Sequence, residues 1–125
     1  MICGIGTDIC KTNRFQKWLK NRSFLNRFFC EDEILQSENE EFLCQHYAAR
    51  FASKEAFSKA LSTGIVGFTL KEVCIKNDEK GKPYFLFSQR LENKIKEIAG
   101  QNFKVHLTIS HEKDYAVSFV IIESL

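Results

Sequence analysis

Glu41-Phe42-Leu43-Cys44-Gln45-His46-Tyr47-Ala48-Ala49-Arg50-Phe51-Ala52-Ser53-Lys54-Glu55-Ala56-Phe57-Ser58-Lys59-Ala60-Leu61 is the stretch from which the architecture follows. Leu43, Tyr47 and Phe51, then Ala56, Phe57, Ala60 and Leu61, recur at helical spacing and predict one long amphipathic helix. Ser62, Thr63 and Gly64 end it, glycine being the residue that tolerates the left-handed backbone past a helix C-terminus. Lys54 and Glu55 interrupt the apolar tract, and Lys59 follows Glu55 by one turn.

Upstream, Ile2 to Ile9 mixes β-branched residues with Gly4 and Gly6, which suits a strand closely approached by another backbone, with Asp8 at its end. Asn13 is placed to cap a short helix in which Phe15, Trp18 and Leu19 share a face and Arg14 and Lys17 point elsewhere. Downstream, Phe68 to Ile75 alternates with a phase break, predicting a strand with a bulge; Asn77 to Lys82 reads as a turn and Pro83 to Phe87 as a second strand. Leu91, Ile95, Ile98 and Ala99 mark a helix stopped by Gly100. Val105, Leu107 and Ile109 alternate with polar residues before an apolar strand from Tyr115 to Ile122, a hairpin with His111 at its tip. The order predicts an α+β fold, an antiparallel sheet covered by helices, in a single domain over residues 1–125.

Composition bounds the function. A chain of 125 residues holds one core, so a complete site is expected to need more than one copy. The run from Tyr115 to Ile122 is too short to span a bilayer, and no secretory signal opens the chain, so a cytoplasmic protein is expected. Cys3, Cys10, Cys30, Cys44 and Cys74 are scattered, odd in number and free of Cys-x-x-Cys pairs, which indicates neither a disulfide framework nor a zinc site. Net charge is only +2, but six basic residues fall between Lys11 and Arg27 without an acidic one, a surface for an acidic partner. The acidic run from Glu31 to Glu41 reads as a solvated helix.

Asp8 and Glu55 are the carboxylates least like ordinary surface. An Asp after a strand is commonly a turn former, and Glu55 with Lys59 commonly an ion pair worth about 0.2–0.5 kcal/mol. The chemical alternative is that two carboxylates, a substrate diphosphate and waters complete the oxygen shell of Mg²⁺. His111 and the Gly81-Lys82-Pro83 turn are weaker candidates for ligand contacts.

Gly4-Ile5-Gly6-Thr7-Asp8-Ile9, Arg14-Phe15, Arg50 to Ala60, Thr63-Gly64, Gly81-Lys82-Pro83 and Ser110-His111 stand in the order and spacing of the holo-acyl-carrier-protein synthases, of the 4′-phosphopantetheinyl transferase family, and the chain resembles them over nearly its whole length. Ser62 stands where that family has a glycine, and Leu70 where it commonly has a tryptophan. The resemblance implies an α+β homotrimer with coenzyme A in clefts between subunits. It implies transfer of 4′-phosphopantetheine to a serine of an acyl carrier protein, serving fatty acid biosynthesis, with Asp8 and Glu55 holding Mg²⁺ and Glu55 taking the serine proton. Lys59 would stabilise the leaving phosphate. Arg50, Lys59, Gly64, Pro83 and His111 would contact the coenzyme, and Arg14, Lys17 and Arg22 the acidic carrier. The rival reading is a non-catalytic module whose basic segment, with Phe15 and Trp18 interleaved, grips nucleic acid.

Overall fold

The computed structural model describes residues 1–62 and 67–125. The long helix, α2 (Glu40–Ala60), is capped by Asn39, whose side chain accepts from the Phe42 N–H at 3.0 Å, and carries Glu40 and Glu41 in its first turn and Lys59 in its last, all favourable to the helix dipole. Before it come β1 (Ile2–Lys11), a 3₁₀ turn over Thr12–Trp18, α1 (Arg22–Phe28) and a second 3₁₀ turn at Glu31–Glu33. After it come a 3₁₀ turn at Leu70–Glu72, β2 (Val73–Asn77), β3 (Pro83–Phe87), α3 (Gln89–Ala99), β4 (Phe103–His111) and β5 (Tyr115–Ser124). All strand pairs are antiparallel: β1-β5-β4 form one sheet and β2-β3 another, the α+β arrangement expected.

One face of the three-stranded sheet lies on α2. On β1 the even residues turn toward the helix, and a Cβ at Gly4 or Gly6 would overlap the carbonyl oxygens of Ala60 and Ala56. The spacing explains the fit. Two residues of strand and four of helix advance by similar lengths, about 6.6 and 6 Å, so two glycines can follow two alanines in step. The C-terminal half of α2 packs Phe57 and Leu61 against α3 and the β2-β3 hairpin, and the N-terminal half packs Tyr47 and Ala48 against Phe15, Leu25 and Phe29. Phe28, Phe51 and Ile109 touch both clusters.

Several local expectations need correction. Asp8 does not end β1: the strand continues to Lys11, with Asp8 opposite Ser118. Asn13 caps nothing, because its segment is a 3₁₀ turn, whereas Asn21 caps a separate α1 through the Phe24 N–H. The phase break after Phe68 is a 3₁₀ turn in which Glu72 caps the Thr69 N–H, so the strand starts only at Val73. At the end of α2 it is Ser62 that takes a left-handed φ of 65°; Thr63 and Gly64 lie outside the described residues. The acidic run is not uniformly solvated, since Glu33 is buried. Cys30 and Cys74 are joined as a disulfide with Cα atoms 6.1 Å apart, a pairing that sequence spacing of 44 residues cannot reveal.

Candidate active site

Three of the expected chemical groups meet where β1 crosses α2. The close Gly–Ala contact brings the α2-facing Asp8 to the edge of the helix. There Lys59 donates from Nζ to the Thr7 carbonyl at 2.9 Å and to Asp8 Oδ1 at 3.1 Å. Lys59 therefore pairs with Asp8 on another element, where the sequence alone suggests Glu55 on its own helix. Glu55 is near enough to Asp8 to feel its charge. Burial first, and the Asp8 carboxylate second, push its pKa above the ordinary glutamate value, against the opposing pull of Lys59 and Arg14.

Glu55 also faces a groove of about 420 Å³. Arg14 and Trp18 of the first 3₁₀ turn, Phe24 of α1, Phe51 of α2, and Phe68 and Leu70 line it. Trp18 stacks on Phe24 with ring centroids 3.9 Å apart, and the Arg14 guanidinium lies 4.7 Å from the centre of the Phe51 ring. Lys17 sits over Trp18, while Arg22 is tied to Glu31 at 3.0 Å. Arg14 is thus a member of the site as well as of the basic segment, and Trp18 and Phe24 line a groove where periodicity assigns Trp18 to the core.

A second recess, of about 240 Å³, opens on the other side of α2. His46, Arg50, Asn77, Gly81, Pro83 and His111 line it. His111 is the last residue of β4, opposite Ala116, and not a loop residue. Arg50 donates from Nη2 to Asn77 Oδ1 at 2.7 Å, whereas its buried Nε has no partner among the described residues. Burial lowers the Arg50 pKa, so the recess holds a poorly solvated cation suited to an anion. His46 Nε2 lies 2.6 Å from the Glu33 carbonyl; a carbonyl only accepts, so the proton is on Nε2. Burial, then Arg50, lowers its pKa to about 4. The structure thus groups Arg50, Pro83 and His111 apart from Asp8, Glu55 and Lys59, with α2 between them.

Asp8 and Glu55 fit a hard divalent cation: both are oxygen donors, and the charge of one already resists ionisation of the other. The group of Cys30, Glu33 and Cys74 lies elsewhere, its two sulfurs bonded to each other. Its carboxylate is committed to Lys54 and to two backbone N–H groups. No helix among the described residues is long and apolar enough to cross a membrane.

Residues 4–120 match the model of the 4′-phosphopantetheinyl transferase superfamily. The chain is 41% identical to the holo-[acyl-carrier-protein] synthase of Treponema denticola, with 98% of this chain and 99% of that protein aligned. The crystal structure of a holo-(acyl-carrier-protein) synthase from Bacillus anthracis in complex with CoA (3′,5′-ADP) superposes with a TM-score of 0.79 at 37% identity, covering 100% of this chain and 99% of that one. The holo-[acyl-carrier-protein] synthase from Neisseria meningitidis superposes with a TM-score of 0.85 at 36% identity, covering 98% and 99%.

Proposed function

Because the chain belongs to the 4′-phosphopantetheinyl transferase superfamily, we propose that it transfers the 4′-phosphopantetheine group of coenzyme A to a serine of an apo acyl carrier protein, releasing 3′,5′-ADP. The observation that carries this reading is the meeting of Asp8, Glu55 and Lys59 beside an aromatic groove, on a chain aligned end to end with holo-acyl-carrier-protein synthases.

Asp8 and Glu55 would hold Mg²⁺, which when bound supplies neutralisation of the coenzyme's diphosphate charge. Arg50, with its unpartnered Nε, and His111 and Pro83 beside it receive the nucleotide end. Gly64, outside the described residues, joins them by family resemblance. The carrier's serine oxygen bonds to the phosphorus next to pantetheine as the bond from that phosphorus to the bridging oxygen breaks. Glu55 takes the serine proton. Lys59, held by Asp8 and the Thr7 carbonyl, turns an N–H toward the departing 3′,5′-ADP phosphate.

The basic segment is the docking face for the acidic carrier. Arg14 lies at the groove, Lys17 on its rim, and Arg22 would exchange Glu31 for a carrier carboxylate. The outward face of the three-stranded sheet supports a homotrimer: Ile5 and Ile9 are each 60% exposed and Phe119 is 40% exposed, an apolar patch that a second copy would cover. The whole of 1–125 serves as one transferase domain, acting in the cytoplasm. A nucleic-acid-binding module is not favoured, since Phe15 is buried in the core and Trp18 is stacked on Phe24, leaving neither free to stack on bases.

The direct test is intact-mass measurement of an apo carrier protein incubated with this chain, coenzyme A and Mg²⁺. The carrier should gain one phosphopantetheine on its serine. A carrier of unchanged mass after prolonged incubation with the folded protein would refute the reading.

A further inference from the structure

Lys54 stands one residue before Glu55, yet the transfer chemistry has no use for it. It is fully buried, with Nζ donating to Glu33 Oε1 at 2.7 Å, to the Leu70 carbonyl at 2.9 Å and to the Val73 carbonyl. These are the three donors an ammonium has, and all are used. Glu33 is equally committed: Oε1 also accepts from the Cys30 N–H at 3.0 Å, and Oε2 from the Ile75 N–H at 3.0 Å. Burying such a pair costs desolvation that well-packed apolar side chains avoid, so stability alone gives no reason for it.

What the pair joins gives a reason. Glu33 lies in the turn that follows α1, and Cys30 is two residues beyond Phe28, an α1 residue that lines the aromatic groove. Leu70 lines the same groove. Lys54 projects from α2, whose Phe51 and Glu55 border the same groove. One buried ammonium therefore ties the segment after α1 and the Leu70 turn to α2, next to the Cys30–Cys74 disulfide that joins the first of these to β2.

We propose that Lys54 and Glu33 are positioning residues whose ion pair sets how the segment after α1 and the Leu70 turn seat on α2 around the groove, and with it the placement of an acidic protein partner's hydroxyl beside Glu55. The proposal rests on the reading that this groove takes the carrier. It predicts a selective defect. Loosening the groove weakens the carrier interaction more than the recess on the other side of α2, which Glu33 touches through its main-chain carbonyl on His46, a group the substitutions keep.

The test uses Lys54→Met combined with Glu33→Leu, which replaces the pair by apolar groups of similar volume and leaves no buried charge unpaired. Trp18, the only tryptophan, lies in the groove and reports its geometry without any reaction. With the fold verified by circular dichroism, acrylamide quenching of Trp18 should rise about twofold and the KM for the carrier about tenfold, while the KM for coenzyme A stays within about twofold of wild type. A folded double variant with wild-type quenching and wild-type carrier KM would overturn the proposal. So would an equal rise of both KM values. If the double variant does not fold, Glu33→Asp, which keeps the charge and shortens the tether by one methylene, takes the same measurements with the same expected direction and the same refuting outcomes. Absence of transfer by the wild type would count against the functional reading alone, since Trp18 quenching still decides whether the pair governs the groove.

Discussion

Glu55 is held where its own ionisation is opposed, by burial and then by the Asp8 carboxylate. In the metal-free protein it should titrate above an ordinary glutamate. Asp8→Asn should bring that titration down by removing the second cause, and added Mg²⁺ should lower it in the wild type, both followed by carboxyl carbon NMR shifts against pH. A Glu55 titration that ignores both changes would separate the two carboxylates. If they form one site, Asp8→Asn and Glu55→Gln should each lower transfer by about a hundredfold or more, and the double variant should be little worse than the worse single. High Mg²⁺ should partly rescue Asp8→Asn and rescue Glu55→Gln less if Glu55 also takes the proton. Ser62 presents the opposite kind of residue problem. Its left-handed φ of 65° is costly for a side chain with a Cβ, so Ser62→Gly should stabilise the protein by about 0.5–1 kcal/mol after the entropy glycine regains on unfolding is subtracted. Urea denaturation measures it, and a lower midpoint would refute it.

Between elements, the decisive contact is β1 on α2. A methyl group at position 6 meets the Ala56 carbonyl oxygen, which is backbone and cannot swing away. Gly6→Ala should therefore destabilise by about 3 kcal/mol or more and lower transfer further than stability explains, because Asp8 two residues on is carried away from Glu55. Thermal unfolding and activity of the folded fraction are the measurements; a variant of wild-type stability would show that the crossing tolerates expansion. The glycines of β1 and the small face of α2 were legible in the sequence because close approach leaves a compositional trace. The long helix, the β2-β3 and β4-β5 strands and α3 were legible from period and turn residues. The boundary between the Thr12–Trp18 turn and α1 was not, because both halves carry similar apolar spacing and only hydrogen bonding distinguishes them. The Lys59–Asp8 bond and the Glu33–Lys54 pair were hidden for a different reason. Local sequence offers each lysine a neighbour, while the fold supplies partners 51 and 21 residues away. A lysine inside an apolar tract does signal a buried counter-charge, but nothing in the acidic run distinguishes Glu33 from its solvated neighbours.

At the scale of the whole molecule, acid acts through His46. Its pKa falls from 6.5 to about 4 on folding, so between those values the unfolded chain binds the proton and the native state does not. Stability from this group is thus complete above about pH 6.5 and declines as pH falls toward 4, by roughly 3 kcal/mol in all. His46→Gln should flatten that part of the stability profile in urea melts across the range, and an unchanged slope would assign acid sensitivity elsewhere. The remaining question is what covers the outer face of the sheet. Along β5, Val117, Phe119 and Ile121 turn away from α2, opposite Ile9, Thr7 and Ile5 on β1, so the apolar residues form one continuous surface and not scattered exposures. Leaving such a surface in water is unfavourable, and the strands are already paired within the sheet, so a second copy would cover it face to face through side chains. Phe119→Asp places a charge in the centre of this face without touching the core beneath. In the proposed trimer it should shift the mass measured by light scattering from three chains to one while leaving the circular dichroism spectrum intact. Transfer activity should fall with the trimer fraction if a neighbouring subunit completes the recess that His111 at the end of β4 and Pro83 at the start of β3 line. Wild-type protein that is monomeric and fully active at assay concentration would refute the shared site, and a Phe119→Asp variant that still sediments as a trimer would refute this face as the interface.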